Sequence, residues 1–196
     1  QAQKSLKQDE VPIGAVVVDV RGNIIGRGHN QVMAKCSQSA HAEILAIEQA
    51  GKVQGDWRLE ECWLYVTLEP CTDQSRNNNR KPGEIKKKGC SSHIVKARLG
   101  KVYIGVEDPN PKIATLGKLF LEESGIEVEM FPAHLQDVIW KDNAQFKKEK
   151  ELEALQAKKA TSKPRQNILQ KSAPGATIQS FSKDAIQSSL RQSKAE

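Results

Sequence analysis

The stretch CWLYVTLEPC, residues 62–71, organises the rest of the chain. Residues 62–68 form a short, almost continuous apolar run, which is typical of a β-strand buried on both faces of a sheet. Pro70 and Cys71 follow, and proline has no backbone N–H to donate to a sheet. The sequence therefore predicts a buried strand that delivers a thiol at its carboxyl end.

Further predicted elements lie on both sides of this strand. Two β-like runs, 13–20 and 23–30, are separated by an Arg-Gly pair typical of a hairpin turn. Residues 41–51 carry apolar side chains at helical spacing, and we expect Gly51 to end that helix. The remaining elements are a helix at 90–98, a strand at 101–106, a helix at 115–124, a strand at 127–131 and a long helix at 134–159. This order predicts an α/β domain with a mixed, mainly parallel sheet covered on both faces.

Composition divides the 196 residues into a domain and a tail. We place the domain at 1–159, with a basic insertion at 72–89 between two cysteines. Residues 160–196 are rich in Ser, Gln and Lys and cannot bury enough apolar surface to offset their ordering entropy. We therefore predict a disordered tail.

Positive charge is concentrated in two segments. The insertion holds six Lys or Arg against two Asp or Glu, and residues 141–196 hold twelve against six, whereas the whole chain has a net charge of +6. Such segments attract nucleic acid or phosphates. The alternative is a solvated loop and tail without a ligand.

Cysteine use and hydropathy indicate the compartment. The chain has four cysteines, which argues against a disulfide scaffold and favours a reducing environment where paired thiols bind metals. No run approaches 18 consecutive apolar residues, and the first residues do not resemble a secretory signal. We expect a cytoplasmic protein without a membrane partner.

Three potential metal ligands occur where predicted elements begin or end. His41 opens a helix, Cys71 follows the buried strand, and Cys90 opens the next helix. One imidazole and two thiolates leave zinc with an open position for water, whose pKa the metal lowers. Glu43, two residues after His41, is the candidate catalytic proton shuttle. A structural zinc site without catalysis is the alternative.

These residues carry a resemblance to a known family. VPIGAVVVD, GNIIGRGHN, AHAEILAIEQAG, GDWRLEECWLYVTLEPC and CSSHIVKARLGKVYIG resemble the tRNA adenosine deaminase branch of the cytidine deaminase superfamily. VEDPNP at 106–111 resembles the riboflavin-pathway pyrimidine deaminase branch, that is, the diaminohydroxyphosphoribosylaminopyrimidine deaminases. The family commonly has two residues between its cysteines, whereas this chain has 18 between Cys71 and Cys90, which we interpret as an inserted loop.

The resemblance implies a fold and a set of site residues. The fold would be a three-layer α/β/α sandwich with a five-stranded mixed sheet, the cofactor Zn²⁺, and the assembly a homo-oligomer. The zinc ligands would be His41, Cys71 and Cys90, with Glu43 catalytic. The implied substrate-binding residues are Asn30, Pro70, Asp108 and Asn110.

The substrate stays open at this point. The first hypothesis is a small aminopyrimidine nucleoside or nucleotide, which VEDPNP and the widened loop favour. The alternative is a base in nucleic acid, such as adenosine in tRNA or in a single strand, which GNIIGRGHN, GDWRLE and the basic segments favour. A catalytically idle partner subunit is a further alternative, which Glu43 disfavours.

Overall fold

The structure, a computed structural model, describes residues 1–77 and 81–161. Beyond Thr161, the tail predicted at 160–196 lies outside the described residues. In chain order the elements are α1 (Ala2–Leu6), β1 (Gly14–Val18), β2 (Ile24–His29), α2 (Ala42–Gln54), β3 (Trp63–Leu68), α3 (Asp73–Asn77), α4 (Cys90–Lys96), β4 (Lys101–Val106), α5 (Leu116–Glu123), β5 (Glu127–Met130), α6 (Ala133–Asp142) and α7 (Ala144–Thr161).

The five strands form one mixed sheet in the order β2-β1-β3-β4-β5. β1 pairs antiparallel with both β2 and β3, whereas the β3–β4 and β4–β5 pairs are parallel. The predicted five-stranded, mixed and mainly parallel sheet is confirmed: of the described strands, β2, β3, β4 and β5 run in the same direction, and β1 runs against both of its neighbours. The carboxyl ends of β3 and β4 lie side by side, and ligands of open α/β sheets gather at such an edge.

Helices cover both faces of the sheet, as the three-layer prediction requires. On one face, α2, α4 and α5 contribute Ala46, Ile94 and Leu121 to a core with Val17 and Leu64 of the strands. On the other face, α6 contacts β4. Among the described residues, no helix combines the length and apolar character needed to cross a membrane.

The strand at the centre of the prediction is less buried than expected. Leu64, Val66 and Leu68 are buried on the core side of β3. On the opposite side Tyr65 is half-buried, and the first residue, Trp63, is 38% exposed. Only one face of β3 is therefore fully covered.

Two helix boundaries differ from the sequence prediction. α2 continues through Gly51 and ends before Gly55, whose φ of 75° is the left-handed conformation that glycine adopts without strain. The predicted long helix at 134–159 is two helices, interrupted at Asn143. The buried Asn143 side chain donates to the carbonyl oxygens of Pro12 and Ile139, at 3.3 and 3.0 Å. This contact ties the break between the helices to the segment before β1.

Candidate metal centre and its pocket

The three predicted metal ligands lie together. His41 precedes α2 as its N-cap, Cys71 follows β3, and Cys90 is the first residue of α4. The His41 Nδ1 atom lies 3.3 Å from Cys90 Sγ and 3.9 Å from Cys71 Sγ. All three ligand atoms fall within 4.8 Å of one another, so a single ion could contact each of them.

The backbone holds the two cysteines together despite the 18 residues between them. The Cys90 amide donates to Cys71 Sγ at 3.4 Å. The Ser91 amide and hydroxyl both donate to the Cys71 carbonyl oxygen at 3.1 Å. Gly89 lies so close to this carbonyl that any Cβ there would collide with it. The insertion therefore leaves and returns at one point.

The two thiols differ in acidity. The hydrogen bond with Cys90 is the largest effect on Cys71 and, with help from His41, lowers its pKa to about 3 although burial opposes this. That same hydrogen bond and burial raise the pKa of Cys90 well above its ordinary value. Burial opposes the charged imidazole of His41, but the hydrogen bond to Cys71 and the nearby Glu43 charge raise its pKa overall. These shifts favour a thiolate on Cys71 and a thiol on Cys90.

This donor set fits zinc. One imidazole nitrogen and two cysteine sulfurs are ligands that Zn²⁺ prefers, and three protein ligands with an open position are typical of catalytic zinc sites. The chain's other two cysteines do not join the cluster: Cys62 is buried in the core and Cys36 is exposed. The described residues therefore fit the ion that the sequence predicted.

Glu43 lies in the first turn of α2 and is 4% exposed. Burial, reinforced by the Cys71 charge, raises the pKa of Glu43 to about 7, while the His41 charge works in the opposite direction. The neighbouring Cys90 thiol lowers this pKa in turn. A carboxyl group with a pKa near neutrality can both accept and release a proton under physiological conditions.

A cavity of about 340 Å³ opens beside the cluster. Its walls bring together five of the predicted site residues: Asn30, His41, Glu43, Cys71 and Asp108. The remaining lining residues are Glu10, Val11, Ile13, Val32, Met33, Ala42, Leu68, Glu69 and Phe146.

Three predicted residues are absent from this lining. Cys90 is 1% exposed and belongs to the metal cluster. Pro70 is fully buried and lines a much smaller neighbouring cavity with Cys71 and Asp108. Asn110 forms a turn, in which its amide donates to Asp108 Oδ1 and its side-chain oxygen accepts from the Lys112 amide. The structure therefore does not bring Asn110 to the cavity wall.

Two buried carboxylates hold the polar residues of the pocket in place. Glu10 Oε2 accepts from Asn30 Nδ2 at 3.0 Å, and Glu10 Oε1 accepts from the Met33 amide at 2.7 Å. Glu69 Oε2 accepts from the Asp108 amide at 3.0 Å. The side-chain nitrogen of Asn30 therefore donates to Glu10, and its side-chain oxygen can accept a hydrogen bond from a ligand in the cavity.

Sequence reasoning did not identify Glu10, Met33 or Glu69 as pocket residues. Glu10 precedes β1 and Met33 follows β2, and nothing in their local pattern indicates that they meet. Glu69 lies two residues before Cys71, and its local sequence does not indicate a role in the pocket. Phe146, in the first turn of α7, also lines the cavity.

Comparison with known proteins agrees with this chemistry. Residues 1–106 match the family model described as the cytidine and deoxycytidylate deaminase zinc-binding region. The tRNA-specific adenosine deaminase of Bacillus subtilis is 40% identical over 124 residues, which is 63% of this chain and 66% of that protein. A protein of the same name from Streptococcus pyogenes is 48% identical over 71 residues, or 36% of this chain and 44% of that protein. The chain thus spans less than two thirds of these relatives.

A solved structure resembles the chain as well. It is a diaminohydroxyphosphoribosylaminopyrimidine deaminase/5-amino-6-(5-phosphoribosylamino)uracil reductase from Thermotoga maritima, with 34% identity and a TM-score of 0.51. The match covers 67% of this chain and 32% of that protein. Both branches that the sequence resembled are therefore represented among its relatives.

Proposed function

The chain belongs to the cytidine and deoxycytidylate deaminase family, and we propose that it is a zinc-dependent hydrolytic deaminase acting on adenosine in transfer RNA. The observation that carries the substrate is the long match with the tRNA-specific adenosine deaminase of Bacillus subtilis. The proposed reaction replaces the exocyclic amino group of adenine with oxygen from water and releases ammonia. The alternative substrate from the sequence thus replaces the small aminopyrimidine as the main hypothesis.

The proposed division of labour follows the geometry. His41, Cys71 and Cys90 would hold zinc, which when bound supplies Lewis-acid activation of water. Glu43 would take a proton from the attacking water and deliver it to the ring nitrogen, and would then carry the proton of the added hydroxyl group to the amino group, which departs as ammonia as the carbonyl forms. Its burial and its pKa of about 7 suit a group that must alternate between the two protonation states.

The cavity suits a single base. Asn30 can offer its side-chain oxygen to a donor on the base or sugar, because Glu10 engages the amide nitrogen. Phe146 provides an aromatic ring in the wall, and bases stack favourably on such rings. A base buried in this space would have to leave its stack, which costs least in a single-stranded loop. These features support a flipped nucleotide as the substrate.

The surface charge supports a polyanionic partner. Lys81, Lys86, Lys87 and Lys88 are exposed on the described part of the insertion, which begins directly after a metal ligand. Lysines at that position could contact the phosphates on either side of a flipped nucleotide. Of the other basic residues of the insertion, Arg80 lies outside the described residues, and Arg76 points inward.

The proposal is tested by converting RNA directly. Zinc-loaded protein and its Glu43→Gln variant would be incubated with transfer RNA transcripts that carry adenosine in the anticodon loop. Nuclease digestion and mass spectrometry would then detect inosine by a gain of about one dalton. Inosine formed by the native protein alone supports the proposal. Unchanged transcripts, at protein concentrations that exceed the substrate, contradict it.

A second candidate substrate is a small aminopyrimidine nucleotide. The observation that favours it is the likeness to the Thermotoga maritima deaminase/reductase, together with the VEDPNP segment after β4. Free nucleotides and riboflavin-pathway pyrimidines in the same assay distinguish the two candidates. Self-association as a homo-oligomer remains a prediction of the family resemblance, to be measured by sedimentation.

A further inference from the structure

We propose that Arg76, a residue of the inter-cysteine insertion, is a positioning residue of the metal centre that supports the Cys71 thiolate and holds the segment preceding His41 in place. The inference rests on the metal site and not on the identity of the substrate. Through Arg76, the insertion would help to position the metal ligands, in addition to any contact that its lysines make with RNA.

Arg76 contacts two of the three ligands. Its Nη1 atom lies 2.8 Å from His41 Nε2 and 3.8 Å from Cys71 Sγ. Its Nη2 atom donates to the carbonyl oxygen of Gln38 at 3.1 Å, which anchors the guanidinium to the loop before α2. The planar group therefore bridges the segment that carries His41 and the segment that carries Cys71.

The first turn of the insertion determines where Arg76 points. The Thr72 amide donates to Ser75 Oγ at 2.9 Å, and the Ser75 amide donates to Thr72 Oγ1 at 3.0 Å. This reciprocal pair begins α3, and the Arg76 amide then donates to the Thr72 carbonyl oxygen at 3.1 Å. One helical turn after Cys71 thus directs the Arg76 side chain back over that ligand.

The far end of the insertion fixes this turn in place. Asp73 Oδ1 accepts from the Gly89 amide and from Ser92 Oγ, both at 2.7 Å. Asn77 pairs with the Lys87 backbone, accepting from its amide at 2.9 Å and donating to its carbonyl oxygen at 2.7 Å. α3 is therefore fastened to the residues on either side of Cys90, at the start of α4.

The charge of Arg76 complements the centre. Two thiolates balance the two charges of a zinc ion, and the Glu43 carboxylate leaves a net negative charge. Within the described part of the chain, Arg76 is the one Lys or Arg side chain recorded in contact with the ligands. A guanidinium at this place would stabilise the thiolates without competing for the metal, because it cannot act as a ligand.

The hydrogen bonds also indicate how Arg76 would respond to the metal. A guanidinium only donates, so the His41 Nε2 atom that faces it accepts, and Nδ1 carries the hydrogen towards the two cysteine sulfurs. If zinc were held through Nδ1, the neutral ring would carry its hydrogen on Nε2, which could then no longer accept from Arg76. Arg76 Nη1 would then find its acceptor in Cys71 Sγ, the ligand it already approaches.

The test compares zinc affinity without substrate. Arg76→Gln, Arg76→Lys and a control, Arg21→Gln in the exposed β1–β2 turn, would compete for zinc with a chromophoric chelator. Loss of a group that supports metal ligands typically lowers metal affinity about 10- to 100-fold. We expect that loss in Arg76→Gln, partial recovery in Arg76→Lys and native affinity in Arg21→Gln. Zinc affinity of Arg76→Gln within twofold of native protein would overturn the proposal.

A spectroscopic readout separates positioning from general damage. Cobalt(II) replaces zinc, and its thiolate charge-transfer band reports the electron density on Cys71 and Cys90. We expect the band to shift in Arg76→Gln and not in Arg21→Gln, and an unchanged band would count against the inference. If Arg76→Gln does not fold, Asp73→Ala serves as the second variant. It removes the hydrogen bonds that hold α3 to Gly89 and Ser92 without changing a metal ligand, and it should lower zinc affinity about threefold or more. Native zinc affinity in Asp73→Ala would overturn the proposal. A native protein that binds zinc but does not deaminate tRNA would contradict only the proposed function.

Discussion

The Nδ1 atom of His41 lies 3.3 Å from the Sγ atom of Cys90, although the residues are 49 positions apart in the chain. The contact joins the amino-terminal ends of α2 and α4, which themselves pack together. It also spans the insertion, so the ligand set does not depend on short spacing between cysteines. Long-range packing of the helices is what assembles the centre.

Removal of the Cys90 thiol should therefore empty the metal site. We expect Cys90→Ser to lose most of its bound zinc, because only two of the three protein ligands remain and the serine hydroxyl is a poor replacement. The control is Cys36→Ser, since Cys36 is exposed and outside the cluster. Elemental analysis of both proteins after dialysis gives zinc per chain. A full equivalent of zinc in Cys90→Ser would mean that Cys90 is not a ligand.

Glu43→Gln should separate chemistry from metal binding. The substitution keeps the shape of the buried side chain but removes its ability to accept a proton, so we expect turnover to fall by about 10²- to 10⁴-fold. Zinc content should remain near that of the native protein. The measurement is inosine formation under single-turnover conditions. Native turnover in a zinc-loaded variant would refute the assigned role.

The sequence predicts those parts of this protein that local patterns encode. Apolar runs and helical spacing located all five strands and the helices that carry the candidate ligands, and His41, Cys71 and Cys90 stood out because their chemistry is rare. Local patterns do not encode distant backbone partners. The hydrogen bond from the Met33 amide to Glu10 is such a case, because neither residue differs in its local sequence from an ordinary loop residue.

Other differences have specific physical causes. α2 continues through Gly51, because a glycine inside a helix costs only about 1 kcal/mol. The helix ends instead at Gly55, which adopts the left-handed conformation. Arg76 looked like one charge among several in a basic segment. Its inward direction depends on the Thr72–Ser75 pair and on the fastening of α3, which is set by the fold around it.

The insertion lysines should contribute salt-sensitive affinity for RNA. We expect the double variant Lys86→Ala/Lys87→Ala to bind tRNA more weakly. The slope of the logarithm of the binding constant against the logarithm of the salt concentration should become shallower by about 1.4, roughly 0.7 for each lost phosphate contact with a single strand. Lys52→Ala, at the opposite end of α2, serves as the control. Filter binding between low and moderate salt measures the slope. Equal slopes in all three proteins would place the RNA elsewhere.

Glu69 should stabilise both the fold and the pocket. Its two oxygens accept from four backbone amides, those of Asp108, Thr115, Gly117 and Lys118. Glu69→Gln would turn an NH₂ group towards two of these donors, so we expect a loss of about 2–4 kcal/mol in the free energy of unfolding. Denaturant titration of the zinc-loaded proteins measures it, with the exposed Glu60→Gln as control. A loss below the uncertainty of the titration would contradict this role.

Close packing of α2 on β2 should be indispensable to the site. A Cβ atom on Gly28 would collide with the backbone carbonyl of Ala42, the first residue of α2, and backbone cannot rotate away as a side chain can. We expect Gly28→Ala to cost about 2–3 kcal/mol of stability and to weaken zinc binding, because the displaced helix carries His41. Gly100→Ala is the matched control, since the nearest atom to its new Cβ is 3.7 Å away. Chelator competition and denaturant titration on both variants measure the two effects, and a destabilised Gly28→Ala with native zinc affinity would show that the metal centre tolerates movement of α2.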